Sequence, residues 1–345
     1  IRIWAAPATL SLMAFKGWFI GMQDSVSPML TDLTVNGMNV LMSFVLALGI
    51  KAVGYEGMGF PGIAAGTVAA QYSGLLVAVL LAVFKYRRNT FSTLNFSDLK
   101  GVFKGSETRR FFVMNTDLFV RSLCFIAIYI GFTVISARYG DLLLAVSSIM
   151  MKLLMIFSYF TDGFAYAGEA MTGKYIGAKD AVMLRQTVKW TFVWSMGIAL
   201  IFIGIYHFAG VPLLRMMTSD VTVVEASREY LPWLLLMPVI GCAAFTWDGI
   251  YIGATASKAI RNSMLWAVVG FTAVWFIGIA CLNWLSPGIG LDSAAAGSLP
   301  ASGSDVSGAT GYGRIAMHIL MAAYFAHLLA RTIYLSAKYR KVVHI

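Results

Sequence analysis

The sequence predicts an all-α, polytopic membrane protein. Of its 345 residues, 59% are hydrophobic and only 12% are charged, where a soluble domain carries about 25% charged residues. The apolar residues are also gathered into runs that meet the length of a membrane helix, about 20 residues. Counted on that rule, nine spans fall near 1–22, 29–50, 60–84, 111–136, 142–170, 189–209, 229–253, 262–285 and 314–336. Their unbroken length excludes the alternating strands of an outer-membrane barrel. Aromatic residues make up 14% and Gly numbers 33, as aromatic belts and close helix packing require.

In order, the first span contains Pro7 and closes on Gly17-Trp-Phe-Ile-Gly21. The second carries Asn36, Asn39 and Ser43 along one face; amide and hydroxyl oxygens there suit either a cation or helix–helix hydrogen bonding. The third opens at Pro61 and the seventh holds Pro232 and Pro238, positions where neighbouring helices can accommodate a break. The fourth reads Asn115-Thr-Asp117-Leu-Phe-Val-Arg121 before its apolar run, and the fifth carries Lys152, Asp162 and Glu169. The seventh ends in Asp248-Gly249-Ile-Tyr-Ile-Gly253, an echo of the close of the first.

That echo reads as a parallel internal repeat. Met29-Leu30 follows the first block and Met264-Leu265 the second. Spans one to three then match spans seven to nine, and spans four to six stand unmatched. The alternative is a chance small-xxx-small packing motif. The division expected is residues 1–88 as the second half of a first lobe, 89–110 as a basic inter-lobe linker and 111–345 as a second lobe. Residues 286–313, rich in Gly, Ser and Ala, read as a flexible external loop.

The net charge of +10 is explained by sidedness rather than by nucleic acid. Most Lys and Arg fall in the 85–110 linker, after the fifth and seventh spans, and at the C-terminus, where Arg331 and Lys338 stand. The positive-inside rule places those segments in the cytoplasm. The first span then runs inward, so an odd number of spans is expected upstream of Ile1. Cys124, Cys242 and Cys281 lie singly in apolar runs, without the spacing of a zinc site or disulfide framework. Gly168-Glu-Ala-Met-Thr-Gly173-Lys174 imitates a phosphate-binding loop, but Tyr175 replaces the Ser/Thr and no strand precedes it. Neither ATP-driven work nor an enzyme is indicated.

The charges within the spans are the candidate functional groups, since each costs a few kcal/mol to bury in lipid. Asp117 and Arg121 stand at i, i+4 and can pair on one helix face. They form either a coupling carboxylate with its tuning cation or a structural ion pair. Asn115 would add a ligand oxygen or cap the helix. Asp162 and Glu169, seven residues apart, share a face; Asp162 reads as a cavity or gating group and Glu169 as an interface carboxylate. Lys152 lies mid-membrane and calls for a carboxylate on another helix. Asp248 could pair with Lys258 or Arg261. His207, His318 and His327 read as packing residues ahead of a proton relay.

At these residues the sequence resembles the DinF-like branch of the multidrug and toxic compound extrusion (MATE) transporters. The carrying motifs are Asn115-Thr-Asp117-Leu-Phe-Val-Arg121-Ser-Leu-Cys, Asp162-Gly-Phe-Ala-Tyr-Ala-Gly-Glu169-Ala, Asp248-Gly-Ile-Tyr-Ile-Gly-Ala-Thr255 and Gly17-Trp-Phe-Ile-Gly-Met-Gln-Asp24. The resemblance implies twelve helices in two lobes, of which this chain would hold the last nine. It implies alternating access and export of small organic, cationic or amphipathic compounds driven by H+ or Na+, with no other cofactor and no metal centre. It further implies a monomer in the bacterial cytoplasmic membrane, with a cytoplasmic C-terminus and the lipid bilayer as its partner. Asp117, Asp162, Asp248 and Asn39 are then the expected coupling positions. Asn115, Arg121, Lys152, Glu169, Asn36 and Thr67 would tune them or line the cleft. The family's Asn-x-x-x-Asp pattern is broken here, because Ser43 follows Asn39 where the Asp would stand. The competing readings are a lipid-linked oligosaccharide flippase, which would favour a cationic cleft, and an intramembrane enzyme or a non-transporting structural subunit.

Overall fold

The computed structural model describes residues 1–49, 56–86, 106–285 and 306–342. Among the described residues, nine helices are long and apolar enough to cross a membrane, so the chain is an integral membrane protein of all-α class. Most of the expected linker 89–110 and of the loop 286–313 lies outside the described residues. Their margins correct the sequence reading: helix begins at Ser106 on one side and at Val306 on the other.

The chain divides into two compact units, Ile1–Thr108 and Arg109–Ile345. In the first, a short 3-10 turn leads into α1 (Ala6–Gly21), followed by α2 (Val26–Leu48) and α3 (Phe60–Tyr86). Pro7 occupies the first turn of α1, where its missing N–H costs nothing. The helix α3 buries Gly62, Gly66, Ala70, Gly74, Ala78 and Ala82, a stripe of small residues at four-residue spacing. It brings the backbones of α2 and α3 together: a Cβ at Gly66 would lie 2.7 Å from the amide nitrogen of Ser43. Lys16 of α1 pairs with Asp32 of α2 at 2.5 Å.

The second unit holds α4 (Ser106–Ala137) from Arg109 onward, α5 (Asp141–Gly177), α6 (Ala181–Met217), the short α7 (Val221–Arg228), α8 (Leu231–Gly253), α9 (Ser257–Leu285) and α10 (Val306–Val342). Its core draws on every long helix, with Phe132, Phe157, Phe202, Leu234, Phe271 and Leu320 among the buried side chains. Asp180 caps α6 by accepting from the amides of Val182 and Met183, and Asp220 caps α7 by accepting from that of Thr222. The helices α5 and α6 extend well past the expected 142–170 and 189–209, because their polar, capped ends continue the helix beyond the apolar run.

One turn recurs three times. After α1, α5 and α8, a non-glycine residue (Gln23, Lys179, Thr255) takes a left-handed backbone with φ of 60°, 54° and 55°. Each turn closes with the same pair of hydrogen bonds: Gln23 and Asp24 donate to Ile20 and Phe19, Lys179 and Asp180 to Ile176 and Tyr175, and Thr255 and Ala256 to Ile252 and Tyr251. This is the Schellman closure of a helix. The first and third copies fall at matching places behind Gly21 and Gly253, and the second closes α5, a span outside the matched pair.

The first copy is fixed by Asp24, which accepts from Lys85 at 2.8 Å, from Tyr86 at 2.9 Å and from the Ser27 hydroxyl at 2.5 Å. Burial alone would raise its carboxyl pKa, but the bonds from Lys85, Ser27 and Tyr86 outweigh it and hold the group well below the usual carboxylate range. A depressed folded-state pKa contributes stability that is fully present above the unfolded value and lost as pH falls through the folded one. Thermal melts from neutral pH into the acid range are therefore expected to show an acid-induced loss of stability that Asp24→Asn reduces. An unchanged acid slope in that variant would contradict the assignment.

Candidate functional site

The second unit contains an open-sided cavity of about 460 Å3, walled by α4, α5, α8, α9 and α10. Its charged groups come from four different helices. Arg121 projects from α4, Asp162 and Glu169 from successive turns of one α5 face, Asp248 from α8 and Arg331 from α10. Apolar and aromatic walls are supplied by Phe125, Tyr159, Tyr166, Phe245 and Tyr324.

The floor of the cavity is an ion cluster. Arg121 donates from Nη2 to Oδ2 of Asp248 at 2.7 Å. Arg331 donates from its own Nη2 to the same oxygen. Asp248 is 6% exposed and Arg331 2% exposed, so one buried carboxylate is shared by two guanidinium groups. The remaining Asp248 oxygen and Arg331 Nε have no protein partner. Across the cavity, Asp162 and Glu169 make no ion pair or hydrogen bond among the described residues. Asp162 lies within the electrostatic reach of Arg121, Arg331 and Asp248, and Glu169 within that of Arg121. The site thus holds two cations that are already engaged and two acids that are not.

Several expected pairings are corrected. Asp117 does not pair with Arg121, despite the i, i+4 spacing. It accepts from Arg261 Nη1 at 2.6 Å and from the Ser257 hydroxyl at 2.8 Å, tying α4 to the first turn of α9 outside the cavity. Arg121 turns instead to α8. Asp248 in turn takes Arg121 and Arg331, not Lys258 or Arg261, because its place in α8 faces α4 and α10. Asn115 neither caps a helix nor reaches the cavity; its Nδ2 donates to the Phe111 carbonyl one turn back. Lys152 is exposed and makes no ion pair among the described residues, so the expected bridge to another helix is not formed.

In the first unit, Asn39 and Ser43 line a largely apolar cavity of about 410 Å3, and the Ser43 hydroxyl donates to the Asn39 side-chain oxygen at 3.3 Å. Asn36 is exposed, and Thr67 spends its hydroxyl on the Ile63 carbonyl of its own helix. These positions are therefore not gathered around one point.

Sequence reasoning missed Arg331, which it counted among the cytoplasmic cations at the end of a span. Its signal was its place in the run Ala326-His-Leu-Leu-Ala-Arg331-Thr-Ile-Tyr-Leu, four residues after His327. That histidine is fully buried, with Nδ1 on the Tyr324 carbonyl and Nε2 without a partner. His318 instead accepts from Trp233 at 2.9 Å and contacts Glu229 at 3.3 Å.

Residues 118–275, which include most of the cavity wall, match the sequence profile of the MatE family. The chain is 32% identical over 287 residues to DNA damage-inducible protein F of Escherichia coli (strain K12), covering 83% of this chain and 59% of that protein. It is 24% identical over 301 residues to the probable multidrug resistance protein NorM of Photorhabdus laumondii, covering 83% of this chain and 61% of that protein. A mutant of the Vibrio cholerae MATE transporter VcmN shares the fold with a TM-score of 0.70 at 16% identity, over 98% of this chain and 68% of that one. A MOP superfamily transporter from Pyrococcus furiosus does so with a TM-score of 0.63 at 14% identity, over 96% of this chain and 66% of that one. The chain spans about three fifths of the length of these two curated relatives. Residues 118–275, which wall most of the cavity, thus form a segment that matches the MatE family, and the chain as a whole shares the fold of MATE transporters.

Proposed function

We propose that the protein is a cation-coupled antiporter that exports small organic compounds across a bacterial cytoplasmic membrane by alternating access. It is a transporter and not an enzyme. It acts as a monomer in the bilayer with its C-terminus in the cytoplasm. The observation that carries this reading is the cavity in the second unit, where Asp162 and Glu169 stand unpaired opposite an Asp248 already neutralised by two arginines. An unpaired carboxylate in a membrane-embedded cavity is a group whose charge a cation can change.

In this reading H+ or Na+ is taken up at Asp162, with Glu169 beside it. Asp248 is the fixed anchor and Arg121 the group that responds. Asp248 and Asp162 both attract Arg121; neutralising Asp162 leaves Asp248 as its stronger partner and biases the position of α4. Coupling arises only if the cation binds two conformations with different affinity. The aromatic walls and free acids of the cavity suit an amphipathic cation as cargo. Asp117, held by Arg261 and Ser257, positions α4 in this scheme and carries no ion. The cavity does not have the strongly cationic lining that a lipid-linked oligosaccharide flippase would favour, since its two guanidinium groups face three carboxylates.

Dye accumulation in efflux-deficient cells tests the proposal. Expression of the wild type is expected to lower dye content in a way that depends on external pH or Na+, by an amount within the about 5–150-fold range of coupled equilibria. Asp162→Asn is expected to abolish that dependence, while Asn115→Ala leaves it. Wild-type cells that accumulate dye like the empty vector would remove the export reading. Export without any response to pH or Na+ would remove the coupling.

A further inference from the structure

A second cavity in the same unit flanks α4 on its α9 side. It measures about 340 Å3 and lies between Ile128, Gly131 and Ile135 of α4 and Phe271, Trp275 and Phe276 of α9. Ile128 and Phe271 form its buried back wall, at 3% and 5% exposure, whereas Phe276 is 68% exposed, so the groove is open on that edge. The depth of the groove comes from Gly131: a Cβ there would meet only Phe271 Cε1, at 3.9 Å. Both walls are helices of membrane-spanning length and hydropathy, so the slot is lined by apolar side chains of the kind that hydrocarbon solvates.

One end of the groove is marked as the membrane surface. Arg138 lines it, one residue beyond the end of α4. The neighbouring Tyr139 ring packs at 6.4 Å against both Trp275 and Tyr312, and the Tyr312 hydroxyl donates to Asn283 at 2.6 Å. Amphipathic rings gathered at helix ends sit at headgroup level. Arg138 is exposed there and makes no ion pair among the described residues. An apolar slot open toward hydrocarbon, with one uncompensated guanidinium at its headgroup end, has the shape and charge of a phospholipid inverted.

We propose that the α4–α9 groove is a phospholipid-binding site, with an acyl chain against Ile128, Gly131 and Phe271 and the lipid phosphate accepting hydrogen bonds from Arg138. Guanidinium binds phosphate through charge-assisted, often bidentate bonds, and the chain contributes by burying methylenes. The occupant would brace α4, the helix that carries Arg121 to the ion cluster. The proposal stands independently of the transport reading, since it concerns binding alone.

Native mass spectrometry of the detergent-purified protein, with added phosphatidylglycerol or diacylglycerol, tests it. One phosphatidylglycerol is expected to be retained per chain, and diacylglycerol, which lacks the phosphate, to be retained far less. Arg138→Gln is expected to weaken phosphatidylglycerol retention roughly tenfold, the order of one charge-assisted hydrogen bond. Gly131→Phe, which fills the slot, is expected to abolish it. Arg138 is exposed, so its variant reports even if Gly131→Phe fails to fold. Equal retention of the two lipids, or unchanged retention in Arg138→Gln, would overturn the assignment. Loss of lipid-induced thermal stabilisation in the same variants is expected to follow the same order, and its persistence would count equally against the site.

Discussion

Asp248→Ala is expected to be among the most damaging single substitutions in the second unit. The change strands two guanidinium groups, one of them, Arg331, only 2% exposed, without the carboxylate they share. Removing one partner of a buried ion pair typically costs about 3–5 kcal/mol, because the charge left behind keeps its desolvation penalty and loses its attraction. Here a single deletion orphans two charges on separate helices, so the upper part of that range applies. The measurement is the melting temperature and folded yield of detergent-solubilised protein. Combining Asp248→Asn with Arg331→Met removes the buried cation as well and is expected to recover part of the loss relative to Asp248→Asn alone. A wild-type melting temperature for Asp248→Ala would show that the cluster does not form.

The second large effect is steric. In α8, a Cβ on Gly249 would run into the carbonyl oxygen of Ala165, and one on Gly253 into that of Glu169, both in the α5 backbone. Backbone atoms in a helix cannot step aside as a flexible side chain would. Gly249→Leu is therefore expected to cost about 3 kcal/mol, the upper end of ordinary overpacking, and to force α8 away from α5. Because Asp248 and Asp162 lie on these two helices beside that contact, the cavity should be lost with it. Gly163, also in α5, has no atom within 4 Å of its hypothetical Cβ. Gly163→Ala is expected to hold or slightly raise stability through helix propensity, within about 1 kcal/mol. Paired melts of the two variants separate a packing role from a generic effect of glycine loss.

These two sites also show what could be read from the sequence and what could not. Hydropathy located the nine membrane helices found among the described residues, because burial in lipid leaves a signal within each segment. It also placed Asp162 and Glu169 on one face of one helix, since a seven-residue spacing is fixed by helix geometry alone. The partner of each charge was not legible. A four-residue spacing allows Asp117 to reach Arg121, but it does not say that α9 offers Asp117 an arginine and a serine, or that α8 offers Arg121 an aspartate. Those choices depend on helix packing between residues more than a hundred positions apart. Arg331 was hidden for a related reason. The apolar run ends near it, but α10 continues to Val342, which leaves the guanidinium inside the fold. Glycine was legible as a motif, although its use was not. Gly249 and Gly253 press against α5, while Gly17 and Gly21, their counterparts in α1, have nothing within 4 Å.

The shared carboxylate also sets an order on how the protein is made. Arg121 precedes Asp248 by 127 residues, and Asp248 precedes Arg331 by 83. A chain synthesised from its N-terminus therefore places the α4 cation long before the carboxylate that binds it directly, with Asp162 of α5 as the nearer acid in the interval. When α8 emerges, the pair becomes neutral, and only with the last helix does the second arginine arrive to compete for the same oxygen. The final arrangement is thus one that no partial chain can hold, and assembly of this cluster is complete only when α10 is in place.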